Sequence, residues 1–224
     1  MIRNIWDTIR KDIQAIKERD PAARGILEIL LTYPGFHALE IHRIAHWLHR
    51  HRLKLLARII SHINRFLTGV EIHPGAQIGK GVFIDHGMGV VIGETAVIKD
   101  NVTLYQGVVL GGTGKEKGKR HPTIEEGAVI ACGAMVLGSF TVGANARVGA
   151  GAVVLKSVPP NSTVVGVPAK VVVLNGKRVN KLDHADVPDP CAQQVAKLVE
   201  RIQELENKID HLQEQIDNQK LNAL

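Results

Sequence analysis

The chain has 224 residues, of which 45% are hydrophobic, so it can bury the core of one large domain or of one domain with appendages. Aromatic residues make up only 4% and glycine occurs 22 times, which argues against a bundle packed with Phe and Trp and favours stacked strands. The net charge of +6 is spread over helical segments and one loop without interleaved aromatics, so we predict no nucleic-acid partner.

The N-terminus and the cysteines indicate the cellular compartment. The opening residues, 1–4, lack the charged and then apolar pattern of a signal peptide, and no apolar run approaches the ~20 residues that span a bilayer. Cys132 and Cys191 have neither a metal-ligand spacing nor the pattern of a disulfide framework, which fits a reducing compartment. We therefore predict a cytoplasmic protein with no membrane partner.

Residues 1–67 have the periodicity of helices. Apolar residues return at spacings of three and four on one face of the first predicted helix: Ile2, Ile5, Trp6, Ile9, Ile13 and Ile16. Asp20 is predicted to cap a second helix that opens at Pro21. After a break at residues 33–35, two more helices are predicted over about Phe36–His51 and Leu53–Leu67.

Three histidines in this region have a spacing that can place metal ligands on one helix face: His42, His46 and His49. The first histidine is followed by Arg43, where a zinc-protease motif has Glu. We therefore favour ordinary histidines that are partly buried or exposed.

A repeat of six residues begins after Thr68-Gly69. Thirteen aliphatic residues keep its register: Ile72, Ile78, Ile84, Ile92, Ile98, Leu104, Leu110, Ile124, Ile130, Val136, Val142, Val148 and Val154. Such a period fits neither a helix nor an alternating strand and is typical of a parallel β-helix, in which each repeat supplies a short strand and a turn.

Two interruptions of the repeat are candidate sites, because a solenoid displays insertions as surface loops. Residues 84–91 use eight residues where six are expected and include Asp85-His86. Residues 111–123 add eight residues, are rich in glycine and cations, and end in Arg120-His121-Pro122. This loop can offer backbone amides and positive charge to a phosphate or a carboxylate, although its composition fits a solvated loop equally well.

The C-terminal segment is predicted to be a helix with a heptad seam. After a polar linker over residues 175–190, the apolar residues alternate spacings of three and four: Val195, Leu198, Ile202, Leu205, Ile209, Leu212 and Ile216. β-Branched residues and Leu alternate along the seam, which favours a coiled coil of two parallel helices. A helix folded back on the body of the protein is the alternative.

With these residues in view, the chain closely resembles the serine O-acetyltransferases, hexapeptide-repeat enzymes that make O-acetylserine for cysteine synthesis. The resemblance covers about residues 9–173 and rests on these motifs: Arg19-Asp20-Pro21-Ala22, Tyr33-Pro34-Gly35-Phe36-His37-Ala38, Glu71-Ile72-His73-Pro74, Ile84-Asp85-His86-Gly87, Val91-Ile92-Gly93-Glu94-Thr95-Ala96, Gly111-Gly112-Thr113-Gly114-Lys115, Arg120-His121-Pro122 and Gly166-Val167-Pro168-Ala169.

The resemblance implies an α+β protein with a short N-terminal helical domain (residues 1–67) and a left-handed parallel β-helix of hexapeptide repeats as catalytic domain (68–174). The linker (175–190) and a coiled-coil-like C-terminal helix (191–224) complete the predicted organisation. The resemblance also implies a homo-oligomer, a trimer or a dimer of trimers, with active sites between neighbouring subunits.

The resemblance further implies the reaction and its residues. Acetyl-CoA would be a cosubstrate, with no tightly bound cofactor and no metal, and L-serine the acceptor. His86 matches the general base, and Glu71 the carboxylate that orients it. Asp20 and Asp85 match the acids that hold the serine ammonium group, while Arg120 and His121 match the pair near its carboxylate and reacting centre. Four positions match CoA contacts: Gly112, Thr113, Cys132 and Lys170.

Two regulatory properties of the family carry over less directly. Feedback inhibition by cysteine, which competes for the serine site, follows from the matching pocket residues. Binding to O-acetylserine sulfhydrylase uses a terminal Ile in many members, whereas this chain ends in Leu224 after a heptad helix.

Two other functions remain open from the sequence. A hexapeptide acyltransferase can act on another acceptor, such as homoserine or a sugar, although Arg120 and Asp20 suit an amino acid with two charged ends. A zinc-binding β-helix is the second alternative, since the repeat region contains the three histidines His73, His86 and His121.

Overall fold

The computed structural model describes residues 2–114, 117–178 and 198–209. Contacts group the chain into two compact units, Met1–Leu182 and Asp183–Leu224. The described part of the first unit comprises these helices and strands: α1 (Ile2–Arg19), α2 (Ile26–Thr32), α3 (Pro34–Arg50), α4 (Lys54–Thr68), β1 (Glu71–Ile72), β2 (Gln77–Ile78), β3 (Phe83–Ile84), β4 (Val91–Ile92), β5 (Val97–Ile98), β6 (Thr103–Leu104), β7 (Val109–Gly111), β8 (Thr123–Ile124), β9 (Val129–Ile130), β10 (Met135–Leu137), β11 (Thr141–Val142), β12 (Arg147–Val148), β13 (Val153–Val154), β14 (Ser162–Val165), β15 (Lys170–Leu174) and β16 (Lys177–Arg178).

The strands form three sheets, because each repeat strand pairs in parallel with the third strand after it. The first sheet has the order β1-β4-β7-β10-β13, the second β2-β5-β8-β11, and the third β3-β6-β9-β12-β14-β15-β16. Three successive strands therefore make one coil of a prism with three faces, and the next coil stacks upon it. The third sheet ends in the antiparallel strands β15 and β16. The predicted parallel β-helix of hexapeptide repeats is confirmed, and its left hand stays a prediction.

The register of the first sheet explains the six-residue period. Ile92 pairs with Leu110, eighteen residues later, so one coil contains three hexapeptides. Ile72 pairs with Ile92 across twenty residues, and Leu110 with Val136 across twenty-six, because the two interruptions loop out without shifting the ladder. Of the thirteen repeat aliphatics, twelve are buried in the prism core, and Ile78 is partly buried against it.

Helix α3 closes one end of the prism. Ala38 and Leu39 are buried in the same cluster as the strand aliphatics. Helix α4 is tied beneath it, because the Asn64 side chain donates to the Ala38 carbonyl at 2.9 Å and the Ser61 hydroxyl to the Ile72 carbonyl at 2.6 Å. Helix α3 and the prism therefore share one core, whereas Ile16 and Ile29 pack with Phe36 and Phe83 in a second cluster.

Helix α4 buries its small and polar side and exposes its apolar side. Its buried residues are Ala57, Ser61, Asn64 and Thr68. Leu55 and Phe66, on the other side, are 77% and 86% exposed. Similar exposure is found for Leu27 and Leu31 on α2 and for Trp6, which the sequence pattern placed on the apolar face of α1. In the described part of the chain, these apolar side chains are left uncovered.

The predicted helix at Pro21 is wrong. The Asp20 carboxylate accepts the amide of Ala22 at 2.8 Å, so it closes a local turn instead of capping a helix. The chain stays irregular up to Gly25, which is the N-cap of α2. The two later helices occur close to their predicted bounds, as α3 and α4.

Part of the second unit is described. Residues 198–209 are helical, and the four seam residues within them are exposed: Leu198, Ile202, Leu205 and Ile209. Val195, Leu212 and Ile216 lie outside the described residues, as do Cys191 and Leu224. The coiled coil therefore stays a prediction. None of the helices in the described ranges is long and apolar enough to cross a membrane.

Candidate active site

The turn after β3 holds His86 in an unusual conformation. His86 has φ = 59°, in the left-handed region that non-glycine residues occupy at some cost, and Gly87 and Gly89 follow with positive φ. The turn is closed by the Gly87 amide, which donates to the Asp85 carbonyl at 2.7 Å, and by the Gly89 amide, which donates to the Gly69 carbonyl at 3.1 Å. The imidazole is therefore held at the surface, with its side chain 71% exposed.

Asp85 lies beside this histidine and near Tyr33, which binds a second carboxylate. His86 Nε2 is 3.9 Å from Asp85 Oδ2. The Tyr33 hydroxyl donates to Asp20 Oδ2 at 2.6 Å. Burial raises the pKa of Tyr33 to about 12, helped by the hydrogen bond to Asp20 and by the negative charge of Asp85. The charge of Asp85 therefore acts on the same Tyr33 hydroxyl that binds Asp20, and Asp85 also lies beside His86. Binding of serine by these residues stays a prediction, and no role was predicted for Tyr33 from the sequence.

Arg19 and Gly35 explain why the helical segment reaches this turn. The Arg19 guanidinium donates to the Gly81 carbonyl at 3.2 Å and to the Thr103 hydroxyl at 3.1 Å, which pins the end of α1 to the prism. A Cβ atom on Gly35 would lie 2.0 Å from the Ile84 carbonyl oxygen. Close backbone packing next to Tyr33 therefore requires glycine, a signal already visible in the Tyr33-Pro34-Gly35 motif.

Glu71 is engaged elsewhere in the chain. Its Oε2 atom forms an ion pair with Arg65 at 3.0 Å. Within the described residues, the carboxylate in ion-pair contact with His86 belongs to Asp85. The structure therefore does not bring Glu71 to His86, and the orienting role of Glu71 stays a prediction.

Arg120 and His121 are held by the turn after β4. Arg120 forms an ion pair with Glu94, and this bond lowers the pKa of the Glu94 carboxyl. His121 Nδ1 accepts the Thr95 amide at 3.2 Å. Burial, together with the positive charge of Arg120, lowers the pKa of His121. Glu94 and Thr95 belong to the family motif at residues 91–96, and no role was predicted for either residue from the sequence.

These residues lie on two edges of the prism. The first is the histidine edge (residues 85–90, 105–108, 131–134 and 149–152), formed by the turns from the third sheet to the first. Amide-to-carbonyl hydrogen bonds run along it from coil to coil, including Gly133 to Gln106 and Gly151 to Cys132, both at 2.9 Å. The second is the arginine edge (described residues 73–76, 93–96, 112–114, 117–122 and 138–140), formed by the turns from the first sheet to the second.

The two edges divide the predicted site residues. Asp85, His86 and the exposed Cys132 lie on the histidine edge. Gly112, Thr113, Arg120 and His121 lie on the arginine edge. Since the first sheet lies between these edges, one chain presents the predicted site residues in two separate groups, called partial sites below. Lys170 is exposed at the start of β15, next to Ala169, whose amide donates to the Val153 carbonyl at 2.8 Å just after the histidine edge.

A cationic cleft of about 610 Å³ lies at the junction of α3 with the prism, lined by His42, Arg43, His46, His49, Arg50, Gly75, Gln77 and Ile78. His42 is buried, which lowers its pKa to about 3. In residues 2–114, 117–178 and 198–209, no group of three or more His, Cys, Asp or Glu side chains is arranged to hold a metal. Among the three histidines of the zinc alternative, His73 Nδ1 already accepts the Gly75 amide at 3.0 Å.

Comparisons with known proteins agree with this arrangement. The family model described as "Serine acetyltransferase, N-terminal" matches residues 2–41, and the model "Bacterial transferase hexapeptide (six repeats)" matches residues 121–156. The serine acetyltransferase of Bacillus subtilis is 57% identical over 213 residues, which cover 95% of this chain and 98% of that protein.

Two solved structures are also similar. The serine acetyltransferase of Brucella abortus in complex with coenzyme A aligns with a TM-score of 0.74 and 46% identity, covering 76% of this chain and 68% of that one. The serine acetyltransferase of Neisseria gonorrhoeae in complex with serine aligns with a TM-score of 0.74 and 45% identity, covering 76% and 70%.

Proposed function

The chain belongs to the serine acetyltransferase family and transfers the acetyl group of acetyl-CoA to the hydroxyl oxygen of L-serine, and we propose that His86 is the general base of this reaction. The observation that carries this assignment is the exposed imidazole of His86, held at φ = 59° beside the Asp85 carboxylate. Backbone strain of this kind is retained where the surrounding structure fixes a functional side chain.

The chemistry requires such a base. An alcohol is a weak nucleophile at neutral pH, so His86 accepts the serine hydroxyl proton while the oxygen attacks the thioester carbonyl carbon. The tetrahedral intermediate then collapses by breaking its carbon–sulfur bond. The CoA thiolate takes up a proton from the His86 imidazolium, which leaves O-acetylserine, CoA and a neutral histidine.

Four further side chains are proposed to bind serine. Asp20 and Asp85 suit its ammonium group, because they are two carboxylates facing one tyrosine hydroxyl. Arg120 suits its carboxylate, since a guanidinium can bind both oxygens at once. His121 is proposed to lie near the reacting centre of the bound serine. Glu71 is proposed to orient His86, which requires the Glu71 side chain to leave Arg65 and contact His86 instead.

The CoA contacts are proposed from position. Gly112 and Thr113 lie on the arginine edge next to His121, and a Cβ atom on Gly112 would lie 3.4 Å from His121 Nε2. Cys132 follows two coils beyond His86 along the histidine edge. Lys170 is an exposed cation that can meet a CoA phosphate.

We propose that the complete site forms between two subunits of a homotrimer built on left-handed β-helices. The partial sites on the two edges support this, because the histidine edge of one copy can face the arginine edge of the next around a closed ring. The exposed apolar side of α4, including Leu55 and Phe66, also suits burial against another copy. A dimer of trimers is the larger alternative.

Thiol release from acetyl-CoA tests the activity. The purified protein should release CoA only when serine is present, and homoserine should replace serine poorly. His86→Ala should lower kcat by at least about 10²-fold, because general-base catalysis contributes roughly that much. Retention of full activity by His86→Ala, or release that is independent of serine, would overturn the assignment.

Subunit complementation tests the position of the site. His86→Ala and His121→Ala chains carrying different tags are co-expressed, and the mixed assemblies are purified on both tags. A site shared between neighbours restores roughly a third of the wild-type activity, because one interface of each mixed ring of three combines the two intact edges. A site within one chain restores none. Each variant purified alone is the control.

The remaining proposals concern regulation and location. Cysteine is proposed to inhibit by occupying the serine site, since its two charged ends match those of serine. O-acetylserine sulfhydrylase is proposed as a partner through the C-terminus, and the heptad helix as a self-association element. A cytoplasmic location is proposed from the cysteine pattern.

A further inference from the structure

Thr95 forms hydrogen bonds with three residues at the end of the 111–123 loop. Its hydroxyl oxygen accepts the Arg120 amide at 3.0 Å and the His121 amide at 3.1 Å. Its carbonyl oxygen accepts the Lys119 ammonium at 2.8 Å. Three consecutive residues of the loop are therefore bonded to one residue from the coil beneath.

The same residue also determines the hydrogen bonding of the His121 ring. The Thr95 amide donates to His121 Nδ1 at 3.2 Å, and the Thr95 hydroxyl oxygen lies 2.9 Å from the same nitrogen. An amide N–H can only donate, so Nδ1 carries no proton. In the neutral imidazole the proton is therefore on Nε2, and the hydroxyl has its own hydrogen free to point at Nδ1.

The space around Nε2 is kept clear by glycines. A Cβ atom on Gly93 would lie 2.0 Å from Nε2, and one on Gly112 would lie 3.4 Å from it. The charged groups that act on this ring are Arg120, Glu94 and Lys119. Burial and the two cations lower the pKa of His121 and outweigh Glu94, which keeps the ring neutral at physiological pH.

We infer that Thr95 is a positioning residue that fixes His121 as the neutral Nε2–H tautomer, so that His121 acts as a hydrogen-bond donor and not as a base. The target of such a donor is an oxygen that gains negative charge, as the thioester carbonyl oxygen does during acyl transfer. The catalytic consequence rests on the role proposed for His121, whereas the tautomer itself rests only on the contacts of Thr95.

The experiment combines imidazole nitrogen NMR with kinetics on the full-length protein. Protein labelled with ¹⁵N-histidine gives the protonation of each ring nitrogen, and the His121 signals are assigned by their loss in His121→Gln. Spectra are recorded across pH for wild type, Thr95→Val and Thr95→Ser. Val preserves the shape of Thr but lacks the hydroxyl, while Ser retains it and is the matched control.

We expect the wild-type spectrum to place the proton on Nε2. Thr95→Val should raise the pKa of His121, because a donor to the unprotonated nitrogen is lost, and should lower kcat for serine acetylation about tenfold, the effect of one hydrogen bond. Thr95→Ser should restore both. The inference is overturned by a proton on Nδ1 in wild type, or by a Thr95→Val protein with unchanged His121 pKa and kcat.

The wild-type spectrum decides the tautomer even if Thr95→Val does not fold. The two proposals also fail separately. If purified wild type releases no thiol with serine, the proposed function fails while the tautomer still stands. If the tautomer is reversed in a fully active enzyme, the inference about Thr95 fails alone.

Discussion

The imidazole ring of His121 lies directly against Gly93, where a Cβ atom would stand 2.0 Å from both Cδ2 and Nε2. Any side chain at residue 93 must therefore move the ring. The ring is buried and is bonded through Nδ1 to Thr95, so a movement of the ring would break or lengthen these bonds.

Gly93→Ala is accordingly expected to lower kcat/KM for serine by on the order of 10²-fold, the loss that follows a displacement of about 1 Å at a reacting centre. Steady-state kinetics measure this effect. Gly25→Ala is the matched control and should retain activity, because a Cβ atom at Gly25 would have no heavy atom within 4 Å. Equal activity of Gly93→Ala and wild type would show that His121 is not needed in its observed position.

Tyr33→Phe should weaken serine binding. The substitution removes the hydroxyl that donates to Asp20 Oδ2, so the carboxylate loses its fixed orientation. We expect KM for serine to rise about fivefold, corresponding to one hydrogen bond, with KM for acetyl-CoA unchanged. The acetyl-CoA value is the internal control. A proportional change in both KM values would indicate a general structural defect and contradict the assignment of Asp20 to serine.

Glu40→Gln should make the protein more resistant to alkaline pH. Burial raises the pKa of Glu40 to about 7, while Arg43 acts in the opposite direction and Asp12, whose carboxylate also accepts the Gly81 amide, adds to the increase. The pKa of Glu40 is higher in the folded than in the unfolded state, so the folded protein favours the protonated carboxyl. The resulting contribution to the free energy of unfolding is complete below about pH 4.5 and is lost as pH rises through about 7.

At pH 8 we therefore expect Glu40→Gln to unfold with a free energy on the order of 1–3 kcal/mol above that of wild type, and at pH 5 the difference should be below about 1 kcal/mol. Urea unfolding at the two pH values measures this. Glu18→Gln, at an exposed position of α1, is the control. A Glu40→Gln advantage that is the same at both pH values would refute the linkage.

His42→Gln should reduce acid sensitivity. Burial lowers the pKa of His42 to about 3, with smaller contributions from the charges of His46 and Arg43. Because the pKa of His42 is lower in the folded than in the unfolded state, the folded protein favours the neutral imidazole. The resulting contribution to the free energy of unfolding is fully present above about pH 6.5 and is lost as pH falls from there towards 3.

Between pH 6.5 and 5, wild type should therefore lose about 2 kcal/mol of unfolding free energy that His42→Gln does not lose. Chemical denaturation at both pH values measures the difference. His62→Gln, at an exposed position of α4, should behave like wild type. An equal acid loss in His42→Gln and wild type would exclude His42 as its source.

A chain that ends at Pro190 tests the heptad seam. The four described seam residues are exposed on the helix over residues 198–209, and a two-sevenths apolar stripe needs another helix to cover it. Multi-angle light scattering should give more subunits per particle for the full chain than for the shortened one. The same number of subunits in both would show that the tail does not drive assembly. Serine acetylation by the shortened chain controls for its folding.

The sequence determined the coil architecture because its signal is local and repeated. Each hexapeptide contributes one inward aliphatic residue, so a single period over residues 72–154 identifies a parallel β-helix, its buried core and the two loops that leave the register. The family motifs also single out Asp20, Asp85 and His86 from the sequence alone, and the structure adds Tyr33, which binds Asp20 and lies within reach of the charge of Asp85.

The contacts that hold the site were decided by the tertiary structure. Arg19 reaches Thr103 across 84 residues and Thr95 reaches His121 across 26, and such pairs meet only when helix and coils are stacked. The turn at Asp20 and the outward apolar side of α4 differ from local expectation for the same reason: a carboxylate and a helix face take the partners that packing provides. Periodicity fixes which residues point inward, but only the stacked coils fix which surface residues meet along an edge.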